Sequence, residues 1–272
     1  MFPLRDNIPS RHSPVVIYVV MAACGFAFLV QSKAADQLID GYAMIPARVV
    51  DPSAEIQLFD GVRTTWDERT GPVSEIVYRD AAPSAVPPWL TTLTCVFLHG
   101  GLMHLVGNLW FLWIFGDNVE DRLGHVGFLV FYFLAGLVAS VTHLVTDPAS
   151  QIPTVGASGA IAGVMGAYMV LYPQARVLTF IPVLIFFRLH TLWLPAVFVL
   201  GVWFAMQLWS GVQAAGAAEP GVAWWAHIGG FVFGVAGGWV VKKTRLGRPA
   251  VTRLRAGSDG WVVPRGRRRD SW

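Results

Sequence analysis

Four polar side chains stand inside segments that are otherwise apolar, and their types suit acyl transfer. Ser158 lies in Gly156-Ala157-Ser158-Gly159 at the head of a glycine-rich apolar run, and His227 opens a second such run. His104 and Asn108 sit four residues apart in a third, so they share a helix face. A polar side chain in lipid costs free energy, so one found there usually has a partner or a task. Histidine can take a serine proton and return it to a leaving amine. The developing oxyanion needs donors, and three are available: the Ser158 backbone N–H at a helix start, the Asn108 amide and the His104 ring. Gly156 permits the backbone turn that exposes Ser158. No Asp or Glu falls in the segments carrying these groups, which points to a Ser158–His227 dyad without a carboxylate as third member.

Each residue also has a plainer role. Ser158 alone would be a packing serine at a helix interface, and His227 alone an interface hydrogen-bonder. Asn108 could bridge neighbouring backbones. His99 is structural or gates access.

The elements that must hold this chemistry are membrane helices. The chain is 54% hydrophobic and 14% charged, with 12 Trp and 17 Phe, and its mean hydropathy is +0.53. A soluble domain of this size needs less apolar residue and more charge. Apolar runs near the roughly 20 residues needed to cross lipid fall at 14–31, 90–116, 125–145, 154–172, 191–209 and 222–241. The expected fold is therefore all-α, a polytopic bundle of six transmembrane helices forming one membrane domain. Val177–Phe187 is apolar but short, and reads as an interfacial or re-entrant connection.

Lys and Arg set the orientation. With the N-terminus cytoplasmic, inside segments carry Arg5, Arg11, Arg122, Arg176, Arg188 and the tail from Lys242, while 146–153 and 210–221 carry neither residue. Both termini are then cytoplasmic, and the bacterial inner (plasma) membrane is the expected location. The long polar loop 32–88 lies outside. The basic tail 242–272 reads as a disordered anchor rather than a nucleic-acid site. Arg11, the apolar run after it and Ser32-Lys33-Ala34 mimic a secretory signal, but the run is long enough to span and nothing downstream requires its removal. Cys24 and Cys95 lie in or beside apolar runs and imply no disulfide framework.

Small residues at four-residue spacing let helices approach closely in lipid. Ser158, Ala162 and Gly166 form one stripe with Gly159 and Gly163 beside it; His227, Gly230 and Gly234 form another. Apposing the two would bring Ser158 to His227.

At these residues the chain resembles the rhomboid family of intramembrane serine proteases. The resemblance rests on Gly156-x-Ser158-Gly159, His104-x-x-x-Asn108, Ala226-His227-x-x-Gly230-x-x-x-Gly234, Glu120-Asp121-Arg122-Leu123-Gly124 and His99-Gly100-Gly101-Leu102-Met103-His104, and covers about 89–241. It implies Ser158 as nucleophile, His227 as general base, and His104 with Asn108 as oxyanion stabilisers. It also implies that the substrates are single transmembrane helices in the bilayer, cleaved near their extracytoplasmic ends, with no cofactor or metal. Glu120 and Arg122 read as a loop ion pair fixing the turn. Two positions depart from the family pattern. Ala162 stands where many members carry an aromatic that stacks on the base, so His227 must be held by Trp224, Trp225 or tighter packing. Trp89 is followed by Leu90-Thr91 rather than by arginine.

Two other functions compete. A catalytically silent rhomboid-like protein would bind membrane helices for trafficking or degradation, although such proteins typically lack the serine or the histidine. Zinc on His99, His104 and His227 is chemically conceivable, but the spacing is not that of a His-Glu-x-x-His protease. Substrate identity, pathway and oligomeric state are not written in the sequence.

Overall fold

The computed structural model describes residues 2–67, 69–183, 188–213, 222–244, 246–248, 254–256 and 262–264. They are mostly helical. The main helices are α1 (Val15–Gln31), α5 (Leu102–Leu123), α6 (His125–Thr146), α7 (Ser158–Leu171), α8 (Ala196–Gln213) and α9 (Trp224–Thr244). Between α1 and α5 lie α2 (Ala35–Tyr42), α3 (Pro46–Val50), a hairpin of β2 (Gln57–Asp67) and β3 (Gly71–Asp80), and α4 (Thr91–Thr94) flanked by 3₁₀ turns.

Among the described residues, α6, α8 and α9 are each long and apolar enough to cross a membrane, and Pro88–Phe97 with α5 makes a fourth if counted as one span. The helices α1 and α7 are apolar but shorter. Helix α7, with 14 residues, rises about 21 Å, against about 30 Å of hydrocarbon.

Three of the expected helical segments differ from the structure. The segment 90–116 is not one rod: its two parts are bent by 80° between Phe97 and Leu102. Gln31 clamps the break, its side-chain amide donating to the His99 carbonyl at 2.6 Å and its carbonyl accepting the His99 N–H at 3.1 Å. The segment 154–172 becomes helical only at Ser158. Thr154 pairs with Met44 in a β-bridge, Gly156 donates its N–H to Cys95, and Gly156 has φ +121°. Such a φ ends regular right-handed helix and favours glycine. Finally, 191–195 belongs to a strand, and α8 begins at Ala196.

Of the stretch read as interfacial or re-entrant, 177–183 belongs to a strand, and 184–187 lie outside the described residues. The strand β4 (Arg176–Val183) pairs antiparallel with β5 (Arg188–Pro195) and with β1 (Phe2–Asp6), giving the order β1-β4-β5. In the expected disordered tail, β6 (Leu254–Ala256) pairs with β7 (Val262–Pro264). Arg265 and Arg267–Arg269 lie outside the described residues.

Small residues bring α6, α7 and α9 together. A Cβ added at Gly230 would lie 2.0 Å from the Gly159 carbonyl oxygen, and one at Gly234 would lie 1.9 Å from that of Gly163. On the other side of α7, a Cβ at Gly159 or Gly163 would meet Ala139 or Ala135 of α6 at 2.6 and 2.5 Å. Real atoms do not approach so closely, so glycine is required at all four positions.

The Glu120–Arg122 ion pair does not form, and both residues lie in the last turn of α5 rather than in a loop. Glu120 accepts the N–H groups of Val16 and Ile17 at 2.9 and 3.0 Å and is 2.6 Å from the His125 ring. Helix α1 has no side-chain cap of its own, so Glu120 serves as one across the bundle. The Arg122 Nε is buried without a hydrogen-bond partner, and its carbonyl accepts the Arg248 N–H.

Candidate active site

The α7–α9 seam places Ser158 and His227 at the same end of two helices packed in parallel. Ser158 is the first residue of α7 and His227 the fourth of α9. The Ser158 hydroxyl oxygen is 2.7 Å from His227 Nε2. His227 is buried, and its other nitrogen, Nδ1, lies 2.7 Å from Oε1 of Gln207 on α8. Both ring nitrogens are thereby engaged, and neither is left for a metal.

Trp203 and Trp224 flank the imidazole, with ring centroids 5.9 and 6.2 Å away, the latter edge-on. Of the residues named from sequence to hold the ring, Trp224 does touch it. Trp203 and Gln207 were not foreseen. Their signal was available: Gln207 is an amide in an apolar span, as Asn108 is, and the same reasoning applies to it. Ala162 is fully buried.

His104 and Asn108 face the same place from α5. A Cβ at Gly156 would lie 2.8 Å from His104 Cε1, 2.9 Å from His104 Nε2 and 3.5 Å from Asn108 Nδ2. Gly156 is therefore required twice, for its φ and for this contact. The Gly100 N–H points at His104 Nδ1 at 3.3 Å, so Nδ1 is the acceptor and Nε2 carries the hydrogen. Asn108 is buried and its Nδ2 has no partner. An unpaired buried donor calls for an explanation, and a developing oxyanion would satisfy it. As the first residue of α7, Ser158 also has a backbone N–H without an intrahelical acceptor.

These groups line one cavity of about 2040 Å³, which also reaches Phe59, Ile76 and Tyr78 of the β2–β3 hairpin. His99 is fully buried and turned to its own turn, its Nδ1 3.2 Å from the Phe97 carbonyl. It packs edge-on against His104 at 5.3 Å.

A serine at a helix start, a histidine on the small-residue helix packed against it and two polar side chains opposite make up the candidate site. The rhomboid domain model matches residues 87–244, and the chain belongs to the rhomboid family. It is a membrane protein. It is 30% identical over 164 residues to "Rhomboid protein 1, mitochondrial" of Saccharomyces cerevisiae, covering 57% of this chain and 42% of that one. It is 41% identical over 81 residues to "Rhomboid protease GluP" of Bacillus subtilis, covering 30% of this chain and 15% of that one. With "Putative rhomboid protease YdcA" of the same organism the identity is 36% over 81 residues, covering 30% and 40%. The chain thus spans less than half the length of each of these relatives.

Proposed function

We propose that this protein is an intramembrane serine endopeptidase that cleaves transmembrane helices of membrane proteins near their extracytoplasmic ends. The observation that carries the reading is the 2.7 Å contact between Ser158 Oγ and His227 Nε2, inside a cavity that also holds an unpaired amide donor. His227 Nε2 takes the Ser158 proton as Oγ bonds to the scissile carbonyl carbon. The charge formed on the carbonyl oxygen is met by Asn108 Nδ2–H, His104 Nε2–H and the Ser158 N–H. His227 then protonates the leaving nitrogen as the C–N bond breaks, leaving an acyl group on Ser158. Water, deprotonated by the same nitrogen, attacks that ester and frees the serine. The cavity has to be hydrated for the second half to proceed.

The family relationship supports a transmembrane substrate in a bilayer, and the Bacillus subtilis relatives named as proteases support the reaction class. Six spans belong to the same proposal: α1, α5 with its bent entry, α6, α7, α8 and α9, the short α7 completed by the extended residues before Ser158. So does the topology with both termini on the Lys/Arg-rich side. The relatives include proteins named as mitochondrial, so they lend no support to a plasma membrane in particular; the proposal rests on orientation, not on compartment.

The test is cleavage of a tagged single-span helix reconstituted with the full chain in lipid vesicles. Products should appear with wild type and be absent with Ser158→Ala or His227→Ala. Undiminished cleavage by Ser158→Ala would sink the proposal, and binding without cleavage by wild type would favour a helix-binding protein.

A further inference from the structure

The sequence left His227 without a third member because no carboxylate lies in the spans that carry the site. The structure puts a neutral amide there instead. Resting on the serine-protease reading above, we propose that Gln207 is the positioning residue of the site: its carbonyl oxygen accepts the His227 Nδ1 hydrogen and so keeps Nε2 unprotonated and aimed at Ser158.

Three observations support this assignment. First, the two contacts of the ring are equally short, 2.7 Å to Gln207 Oε1 and 2.7 Å to Ser158 Oγ, on opposite nitrogens. A neutral imidazole carries one hydrogen, so the partner of Nδ1 decides whether Nε2 can act as a base. Second, the amide is oriented by its own neighbour. Gln207 Nε2 donates to the Trp203 carbonyl at 3.4 Å, an atom that can only accept. This turns Oε1, an acceptor, toward the ring. A flipped amide would offer N–H to Nδ1 and move the ring hydrogen to Nε2, which disarms the base. Third, both side chains are buried, Gln207 at 6% exposure and His227 at 7%, so water does not compete for Nδ1.

Trp203 serves twice. Its carbonyl fixes the amide, and its ring lies 5.9 Å from the imidazole. Ala162 presents only a methyl group on α7, so the ring is held from the α8 side, by Trp203 and Gln207. An amide suits this apolar place because it is an acceptor without a charge to desolvate.

The experiment measures fluorophosphonate labelling rates of the full chain in detergent micelles from pH 5 to 9, for wild type, Gln207→Leu, Gln207→Glu and Ser158→Ala, with thermal unfolding of each. Gln207→Leu, which lacks an acceptor, should label at least tenfold more slowly than wild type. On a cleaved substrate helix its kcat should fall while KM stays unchanged. Gln207→Glu keeps an acceptor but adds a charge that favours the imidazolium. Its labelling should return toward wild type at high pH, with the acid limb of the profile shifted to higher pH by a unit or more. The limb moves only if the side chain at position 207 faces the imidazole. Wild-type labelling rates in Gln207→Leu, or a Gln207→Glu profile coinciding with wild type, would overturn the inference. The second comparison decides the matter where Gln207→Leu does not fold. Failure of the underlying reading looks different: labelling of Ser158→Ala equal to wild type, or none of a folded wild type.

Discussion

Gly230 of α9 rests on the carbonyl oxygen of Gly159, so close that an added Cβ would come within 2.0 Å of it. That contact sets the distance between Ser158, one residue before Gly159, and His227, three before Gly230. The same relation recurs one turn on, where Gly234 meets the Gly163 carbonyl. Backbone-to-backbone packing of this kind is how helices associate in lipid, where the apolar effect between them is weak. It also ties the Ser158–His227 distance to fold stability. Gly230→Ala or Gly234→Ala should therefore destabilise the bundle by about 3 kcal/mol, as an overpacked core does, and Gly234→Leu should prevent folding. Denaturation in mixed micelles with parallel labelling measures both effects. A fully active, normally stable Gly230→Leu/Gly234→Leu double variant would show that the seam is not as described.

The proposed oxyanion site is separate from the seam. Asn108→Ala should lower the rate by about 10- to 1000-fold, the range for losing one oxyanion donor, with little change in stability because the Asn108 Nδ2 is unpaired in the resting protein. Gly156→Ala should be as harmful, since its φ of +121° and its contact with the His104 ring both exclude a side chain. Rates on a substrate helix, together with unfolding midpoints, check the pair. An Asn108→Ala variant with the wild-type rate would remove Asn108 from the mechanism.

Glu120 makes a prediction about stability alone. Its two oxygens accept the first N–H groups of α1. Glu120→Ala should leave these donors unpaired in a buried place and cost about 2–3 kcal/mol, whereas Arg122→Ala should not reproduce that loss, because the two side chains do not pair. A double-mutant cycle between the two residues should give a coupling near zero, and a coupling above about 1 kcal/mol would restore the ion pair.

The Asp6 carboxyl, at the N-terminal strand, lies 2.5 Å from the Tyr168 hydroxyl and 2.9 Å from Asn118 Nδ2. Burial pushes it up from 3.8 to about 7, against the lowering pull of the Tyr168 hydrogen bond. An acid with a raised pKa binds its proton more tightly folded than unfolded. Its contribution is full below about 4 and is lost as pH rises through about 7. Wild type should lose stability between pH 5 and 8 by more than Asp6→Asn does. Equal losses in thermal unfolding of the two would show that Asp6 does not titrate in this way.

The proposed site could be read in the sequence because lipid makes each polar residue conspicuous. Ser158, His227, His104 and Asn108 stood out for that reason, and the glycine spacing named the helices that meet. Gln207 meets the same criterion, but as a neutral amide it lacks the charge that marks the usual third member of such a site. Glu120 and Arg122 were paired by charge and proximity in sequence, but backbone donors from α1, distant in the chain, took Glu120 instead. The bend before α5 and the late start of α7 depend on long-range partners, Gln31 on His99 and Met44 on Thr154, which no local pattern reveals. The β1-β4-β5 sheet was hidden too: apart from Thr179, Val177–Phe187 is apolar and lacks the regular alternation that marks a half-buried strand.

One measurement bears most directly on the central claim. The purified full chain is treated with a fluorophosphonate probe and the modified peptide is identified by mass spectrometry. The Ser158–His227 arrangement predicts a single adduct on Ser158, absent from His227→Ala. No adduct on a folded wild type, or an adduct that persists undiminished in His227→Ala, would contradict it.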